Sequence, residues 1–106
     1  CVGKIRVGAR YKDLDLFARK FLGRYKKYFP HALGHGVGRR VHTRPRISPR
    51  SEDSVKKGDI IAIEPGIYLK GKLGEFGIRV EDTIHVGLKK EILSKSPKRL
   101  IEIKRF

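Results

Sequence analysis

Gly-Asp-Ile-Ile-Ala-Ile-Glu-Pro-Gly-Ile-Tyr, residues 58–68, is followed after five residues by Gly-Glu-Phe-Gly-Ile-Arg-Val-Glu-Asp-Thr, residues 74–83. Within the first segment the apolar run at 59–63, closed by Glu64-Pro65-Gly66, reads as a buried strand ending in a turn. A Gly-rich hairpin at 70–77 then leads into a second strand over 77–86. Alternation along that strand puts Ile78, Val80, Ile84 and Val86 on one face and Arg79, Glu81, Thr83 and His85 on the other. Glu64 falls on the Ile60/Ala62 face of the first strand, where the apolar run meets Pro65. A carboxylate in such a place is costly to bury unless it is paired or coordinated.

Upstream, Pro-His-Ala-Leu-Gly-His-Gly-Val-Gly-Arg-Arg-Val-His, residues 30–42, packs His31, His35 and His42 beside three glycines. The polar, proline-bearing run at 43–51 reads as a loop. Before it, Leu14, Phe17, Ala18, Phe21, Leu22 and Tyr25 follow the spacing of one helical face, with Asp13 as N-cap and Pro30 as the stop. That face is expected to lie on a core. Residues 1–12 read as a strand or loop, and short strands are expected near 91–93 and 100–103. A helix packed on a curved, mostly antiparallel sheet places the chain in the α+β class.

The 106 residues suffice for one modest core. No run approaches the roughly 20 apolar residues of a membrane helix. Cys1 is the only cysteine, so no internal disulfide forms, in keeping with a reducing, cytoplasmic setting. Methionine is absent even at position 1, which suggests a piece of a longer protein. The net charge of +15 permits binding to nucleic acid, yet no block of five or six bases appears. Only Tyr25-Lys26-Lys27-Tyr28 interleaves bases with aromatics, and a solvated helix face accounts for it equally well. Nucleic acid is therefore not expected as the main partner.

His31, His35, His42, Glu64 and Glu81 are the candidates for chemistry. Imidazole nitrogen with carboxylate oxygen suits manganese, cobalt, iron or zinc. Each also has a plainer reading: histidines at i and i+4 are commonly satisfied core residues, and a strand glutamate is commonly one half of an ion pair, here with Arg79. The glycines at 34, 36 and 38 lack the spacing of a phosphate loop.

Together with residues 29–42, the segments at 58–68 and 74–83 resemble, in order and spacing, the pita-bread metallopeptidases: Xaa-Pro dipeptidase (prolidase), aminopeptidase P, creatinase and methionine aminopeptidase. The Glu-Pro-Gly-Ile-Tyr and Gly-Ile-Arg-Val-Glu-Asp-Thr forms are most similar to the Xaa-Pro-cleaving branch. The resemblance implies that residues 1–106 form the C-terminal half of a catalytic domain, fragment of a dinuclear exopeptidase hydrolysing the bond before proline through a metal-activated water. It implies metal ligation by His35, Glu64 and Glu81, with Glu64 also handling the proton of the water. His42 and His31 are implied as catalytic and substrate-binding residues, and Arg79 as the support of the carboxylates. Two divalent ions are implied, manganese or cobalt first, then zinc or iron. A homodimer is a further expectation.

Two departures qualify that expectation. The family's site also uses two aspartates from the first half of the domain, and none of Asp13, Asp15, Asp53, Asp59 or Asp82 lies in a matching motif. This chain alone is therefore expected to hold at most one ion, weakly, and to be inactive by itself. Thr43 stands where the family usually has an acid, and Arg39 and Arg40 add positive charge nearby. The competing reading is a non-catalytic module of the same fold that binds peptide or nucleic acid. Creatinase-like C–N hydrolysis is a third.

Overall fold

A computed structural model describes residues 1–71 and 74–105. Among these described residues one α-helix, α1 (Tyr11–Leu22), is preceded by a 3₁₀ turn at Val2–Lys4 and continued by a 3₁₀ stretch at Gly23–Tyr28. Seven strands follow: β1 (Gly34–Gly36), β2 (Thr43–Ile47), β3 (Ile60–Ile63), β4 (Gly66–Gly71), β5 (Gly74–Arg79), β6 (Asp82–Val86) and β7 (Lys90–Ile92). They form a five-stranded sheet of order β2-β1-β3-β6-β7 and a two-stranded ribbon, β4-β5. All pairings are antiparallel. No helix among the described residues is long and apolar enough to cross a membrane.

The register explains the two faces of the sheet. Gly34 pairs with both Ile47 and Ile63, and Ile61 pairs with Ile84, so Ile47, Ile61, Ile63 and Ile84 lie on one side. There they meet Tyr11, Leu14 and Ala18 of α1 in the core. Each large aliphatic side chain buried in this way contributes roughly 1.5–3 kcal/mol. The other side carries the row Arg46, His35, Ala62, Thr83. Gly34 permits the close approach of β1 to β3: a Cβ there would lie 1.8 Å from the Ala62 carbonyl oxygen.

Several sequence expectations are corrected. The helix begins at Tyr11, with Arg10 at the N-cap, and Asp13 instead accepts hydrogen bonds from the Arg10 side chain. It ends at Leu22, because Gly23 takes a φ of +54° that ordinary residues avoid. Residues 43–51 contain β2, which its pairing to β1 holds in place despite Pro45, as an edge strand tolerates proline. The expected strand at 77–86 is broken at Val80 and Glu81, and its two halves belong to different sheets. Ile78 and Val80 are consequently exposed while Ile84 and Val86 are buried. No strand forms at 100–103, whereas β7 accounts for the one expected at 91–93. The expected hairpin is the β4–β5 ribbon, whose tip at 72–73 lies outside the described residues.

The helical stripe is only half used for the core. Leu14 and Ala18 are buried, but Phe21 is 84% exposed and Phe17 and Tyr25 are also open to solvent. Leu22 and Tyr25 face Ile67, Leu69, Phe76 and Ile78 of the ribbon, with Val80 just beyond it, across an apolar groove of about 350 Å³. A continuation past Pro65 and Val80 reaches Phe21.

Candidate metal centre

Three strands place the donors. His35 lies on β1, opposite Ala62 of β3, and Ala62 lies opposite Thr83 of β6. Glu64 is two residues beyond Ala62, and Glu81 two residues before Thr83. In an antiparallel pair these steps run toward the same end, so the carboxylates face each other beside the imidazole. One ligand atom from each of His35, Glu64 and Glu81 lies within 4.8 Å of the others. His35 Nε2 and Glu64 Oε1 are 3.4 Å apart. His35 Nδ1 donates to the Gly36 carbonyl at 2.8 Å, which leaves the Nε2 lone pair directed at the carboxylates. This donor set fits a divalent ion: one neutral imidazole, one half-buried carboxylate and one exposed carboxylate, with open space beside them.

Arg79 Nε lies 3.9 Å from Glu64 Oε2, on the side of the carboxylate away from His35. The guanidinium also donates to the Tyr68 hydroxyl at 3.5 Å. That hydrogen bond, then the fields of Tyr68 and Glu64, push the Arg79 pKa further up from a value at which a guanidinium is already always charged. Tyr68 lies opposite Gly77 in the ribbon, and a Cβ on Gly77 would strike its ring at 2.7 Å. With glycine there, the ring lies down across the ribbon and its hydroxyl reaches His31 Nε2 at 2.9 Å. His31 Nδ1 is 2.8 Å from the Ala32 carbonyl and donates to it, so Tyr68 donates to Nε2. The His42 ring is exposed and sits edge-on to His35, 4.4 Å between centroids.

The structure thus brings His35, Glu64 and Glu81 together and sets Arg79 behind Glu64. His31 and His42 line the same cavity of about 640 Å³ as His35, Glu64 and Arg79. Sequence reasoning assigned no task to Tyr68, although it closes the quoted Glu-Pro-Gly-Ile-Tyr segment. It also passed over Asp15, which is fully buried. Asp15 accepts from Arg19 Nε at 2.5 Å and from the Leu33 amide at 2.9 Å. Arg19 in turn donates to the carbonyls of Phe29 and His31, at 3.0 and 2.8 Å. The pair pins residues 29–33 to α1 and so aims both His31 and the start of β1. The signal was present: Asp15 interrupts the apolar series Tyr11, Leu14, Ala18, Leu22, with Arg19 at i+4. On the other flank Asp82 accepts from Ser94 at 2.8 Å and pairs with Lys98 at 2.9 Å, fixing β6 next to Glu81.

Known proteins share this sequence pattern and this fold. The profile of metallopeptidase family M24 matches residues 1–87. An uncharacterised peptidase of Methanocaldococcus jannaschii is 44% identical over 82 residues, covering 74% of this chain and 23% of that protein. A Xaa-Pro dipeptidase of Pyrococcus furiosus is 49% identical over 79 residues, covering 73% of this chain and 22% of that protein. Among solved structures, a prolidase from Pyrococcus horikoshii superposes with a TM-score of 0.85 at 42% identity, covering 94% of this chain and 29% of the other. An X-Pro aminopeptidase from Thermotoga maritima gives 0.81 at 37% identity, covering 92% of this chain and 28% of the other. The fold is that of a pita-bread domain in part. The chain spans about a quarter of the length of the relatives it matches.

Proposed function

Because this chain belongs to metallopeptidase family M24, we propose that it is the C-terminal part of a metal-dependent exopeptidase cleaving the bond before proline, as a Xaa-Pro dipeptidase or aminopeptidase. The observation that carries the reading is the gathering of His35, Glu64 and Glu81 within 4.8 Å, with Arg79 behind Glu64. A divalent ion held by that donor set supplies a more acidic water and a polarised carbonyl at the scissile bond.

The chain's own residues do the rest. Glu64, with one oxygen turned to Arg79 and the other to His35, takes up and returns the proton of the attacking water. His42 stands free to donate to the oxygen of the attacked amide. His31, held by Tyr68 and Ala32, forms the opposite wall of the peptide site. A two-ion centre needs two more carboxylates than these residues bring together. Asp13, Asp15, Asp59 and Asp82 are engaged with Arg10, Arg19, Tyr11 and Lys98. The two further carboxylates would be the aspartates that the family resemblance implies in the first half of the catalytic domain. Manganese or cobalt suits the mixed nitrogen–oxygen donors, the substrate is a peptide with proline at its second position, and the setting is cytoplasmic. A non-catalytic binding module would have no use for so close a donor set.

The test is turnover of Ala-Pro and Ala-Pro-Ala by the native-length protein with added manganese, compared with His35→Ala and Glu64→Gln. Hydrolysis should require the metal and fall at least about 100-fold in either variant. Turnover that survives chelation, or that both variants retain, overturns the proposal.

A further inference from the structure

The three donors are not held in the same way. His35 is fixed by its bond to the Gly36 carbonyl, and Glu64 by Arg79. Glu81 is exposed and has no ion-pair partner among the described residues, so the direction of its carboxylate is left to the backbone. That backbone is pinned on both sides, at the break between β5 and β6. Before Glu81, the Val80 amide donates to the Pro65 carbonyl at 3.1 Å, which ties the residue preceding Glu81 to the residue following Glu64. After Glu81, the ladder of β6 and β7 runs out. Ile84 lies opposite Ile92, and the Leu93 amide still donates to the Thr83 carbonyl at 2.8 Å. The Thr83 amide, which a regular ladder would return to Leu93, donates to the Ser94 hydroxyl oxygen instead, at 3.0 Å. The same hydroxyl donates to Asp82 Oδ1 at 2.8 Å. Lys98 Nζ closes the arrangement by bridging Asp82 Oδ1, at 2.9 Å, and the Ser96 carbonyl, at 3.0 Å.

We propose that Ser94 is a positioning residue for the metal centre, whose hydroxyl aims the Glu81 carboxylate at the ion, and that Lys98 holds Ser94 in place for it. The proposal rests on the metal-dependent reading above. Successive strand side chains point to opposite faces. Tethering Asp82 to the segment after β7 on one face therefore turns Glu81 toward His35 and Glu64 on the other. A hydroxyl has one proton to give and lone pairs to accept with. Here the proton goes to Asp82 and a lone pair takes the Thr83 amide, the two residues directly after Glu81. A simple end to the strand would need only the second of these bonds. Ser94, Asp82 and Thr83 are half-buried, so water can take over both bonds when the hydroxyl is removed, and the fold survives. Water does not restore the fixed link to residues 94–98, and a metal site tolerates only about 0.5 Å of misplacement in its donors. The loss therefore falls on metal affinity rather than on folding.

The native-length protein, freed of metal by a chelator, is titrated calorimetrically with manganese, alongside Ser94→Ala, Ser94→Thr, Lys98→Gln and Val86→Ala. Ser94→Ala should bind manganese about tenfold more weakly, and Lys98→Gln about threefold. Ser94→Thr, which keeps the hydroxyl, should stay within about twofold of the unaltered protein. Val86→Ala truncates a buried side chain on the same strand, so its Tm should fall while its manganese affinity stays unchanged. Native affinity in Ser94→Ala overturns the proposal. So does an equal loss in Val86→Ala, which would make the effect one of stability, or an equal loss in Ser94→Thr, which would make it one of packing. If the unaltered protein binds no manganese, the metal-dependent reading fails and this proposal with it. If it binds manganese and hydrolyses Ala-Pro while Ser94→Ala binds equally well, only the role of Ser94 is refuted.

Discussion

Replacing Asp15 by Asn keeps the size of a side chain that is fully buried and removes its charge. In the native arrangement the carboxylate satisfies Arg19 Nε at 2.5 Å and the Leu33 amide at 2.9 Å. The asparagine oxygen can still serve Leu33, but its NH₂ would face the guanidinium donor to donor. Breaking a buried pair from one side costs about 3–5 kcal/mol. Arg19 keeps 23% of its side chain in water, which screens part of the loss and lowers the expectation to about 2–4 kcal/mol. Hydrogen exchange at the Leu33 amide reads this directly, with protection falling about 30- to 1,000-fold. Arg19→Ala should cost a similar amount. The double variant should cost less than the sum, with a coupling of about 1–3 kcal/mol. A coupling below about 0.5 kcal/mol, or unchanged exchange at Leu33, refutes the view that this pair holds the His31 segment to the helix.

Gly34→Ala should cost more than about 3 kcal/mol, because the new methyl meets backbone rather than a yielding side chain; thermal unfolding checks it, and a stable variant would mean that β1 and β3 are not so closely paired. Tyr68→Phe should lower turnover of Ala-Pro by about tenfold with little change in stability, since it frees His31 and Arg79 while keeping the ring over Gly77. Burial, followed by the hydrogen bond to Asp59, pushes the Tyr11 phenol well up, so the folded state keeps its proton where the unfolded chain gives it away. That contribution is complete below the ordinary tyrosine value near 10 and falls above it, by roughly 1.4 kcal/mol per pH unit. Urea unfolding between pH 8 and pH 11 should therefore show a shallower decline in Tyr11→Phe, and parallel curves would contradict the assignment.

The donors were legible in the sequence because each sits in a short segment whose local pattern fixes its face. Alternation from Ala62 to Glu64 and from Thr83 back to Glu81 needs no knowledge of the rest of the chain. Arg79 was legible for the same reason, although the strand meant to carry both Arg79 and Glu81 breaks between them. The failures concern partners remote in sequence. Residues 43–47 look like a loop until β1 supplies a neighbour, and the Asp15–Leu33 bond spans 18 residues. The helical stripe correctly marked Leu14 and Ala18, yet periodicity says only that a face is apolar and not what covers it. Phe21 obeys the same period and remains in water.

That uncovered face governs how these 106 residues behave as a solution. Phe21, Phe76, Ile78 and Val80 present hydrocarbon to water, while the net charge of +15 holds the molecules apart. The two forces answer to different knobs. Added sodium chloride shortens the reach of the repulsion and leaves the hydrocarbon untouched. Warming toward room temperature and adding sulfate both strengthen association, while chilling weakens it. Clear solutions therefore belong to the cold, dilute, low-salt corner, and clouding on warming in salt is the signature of the bare face meeting its own copy.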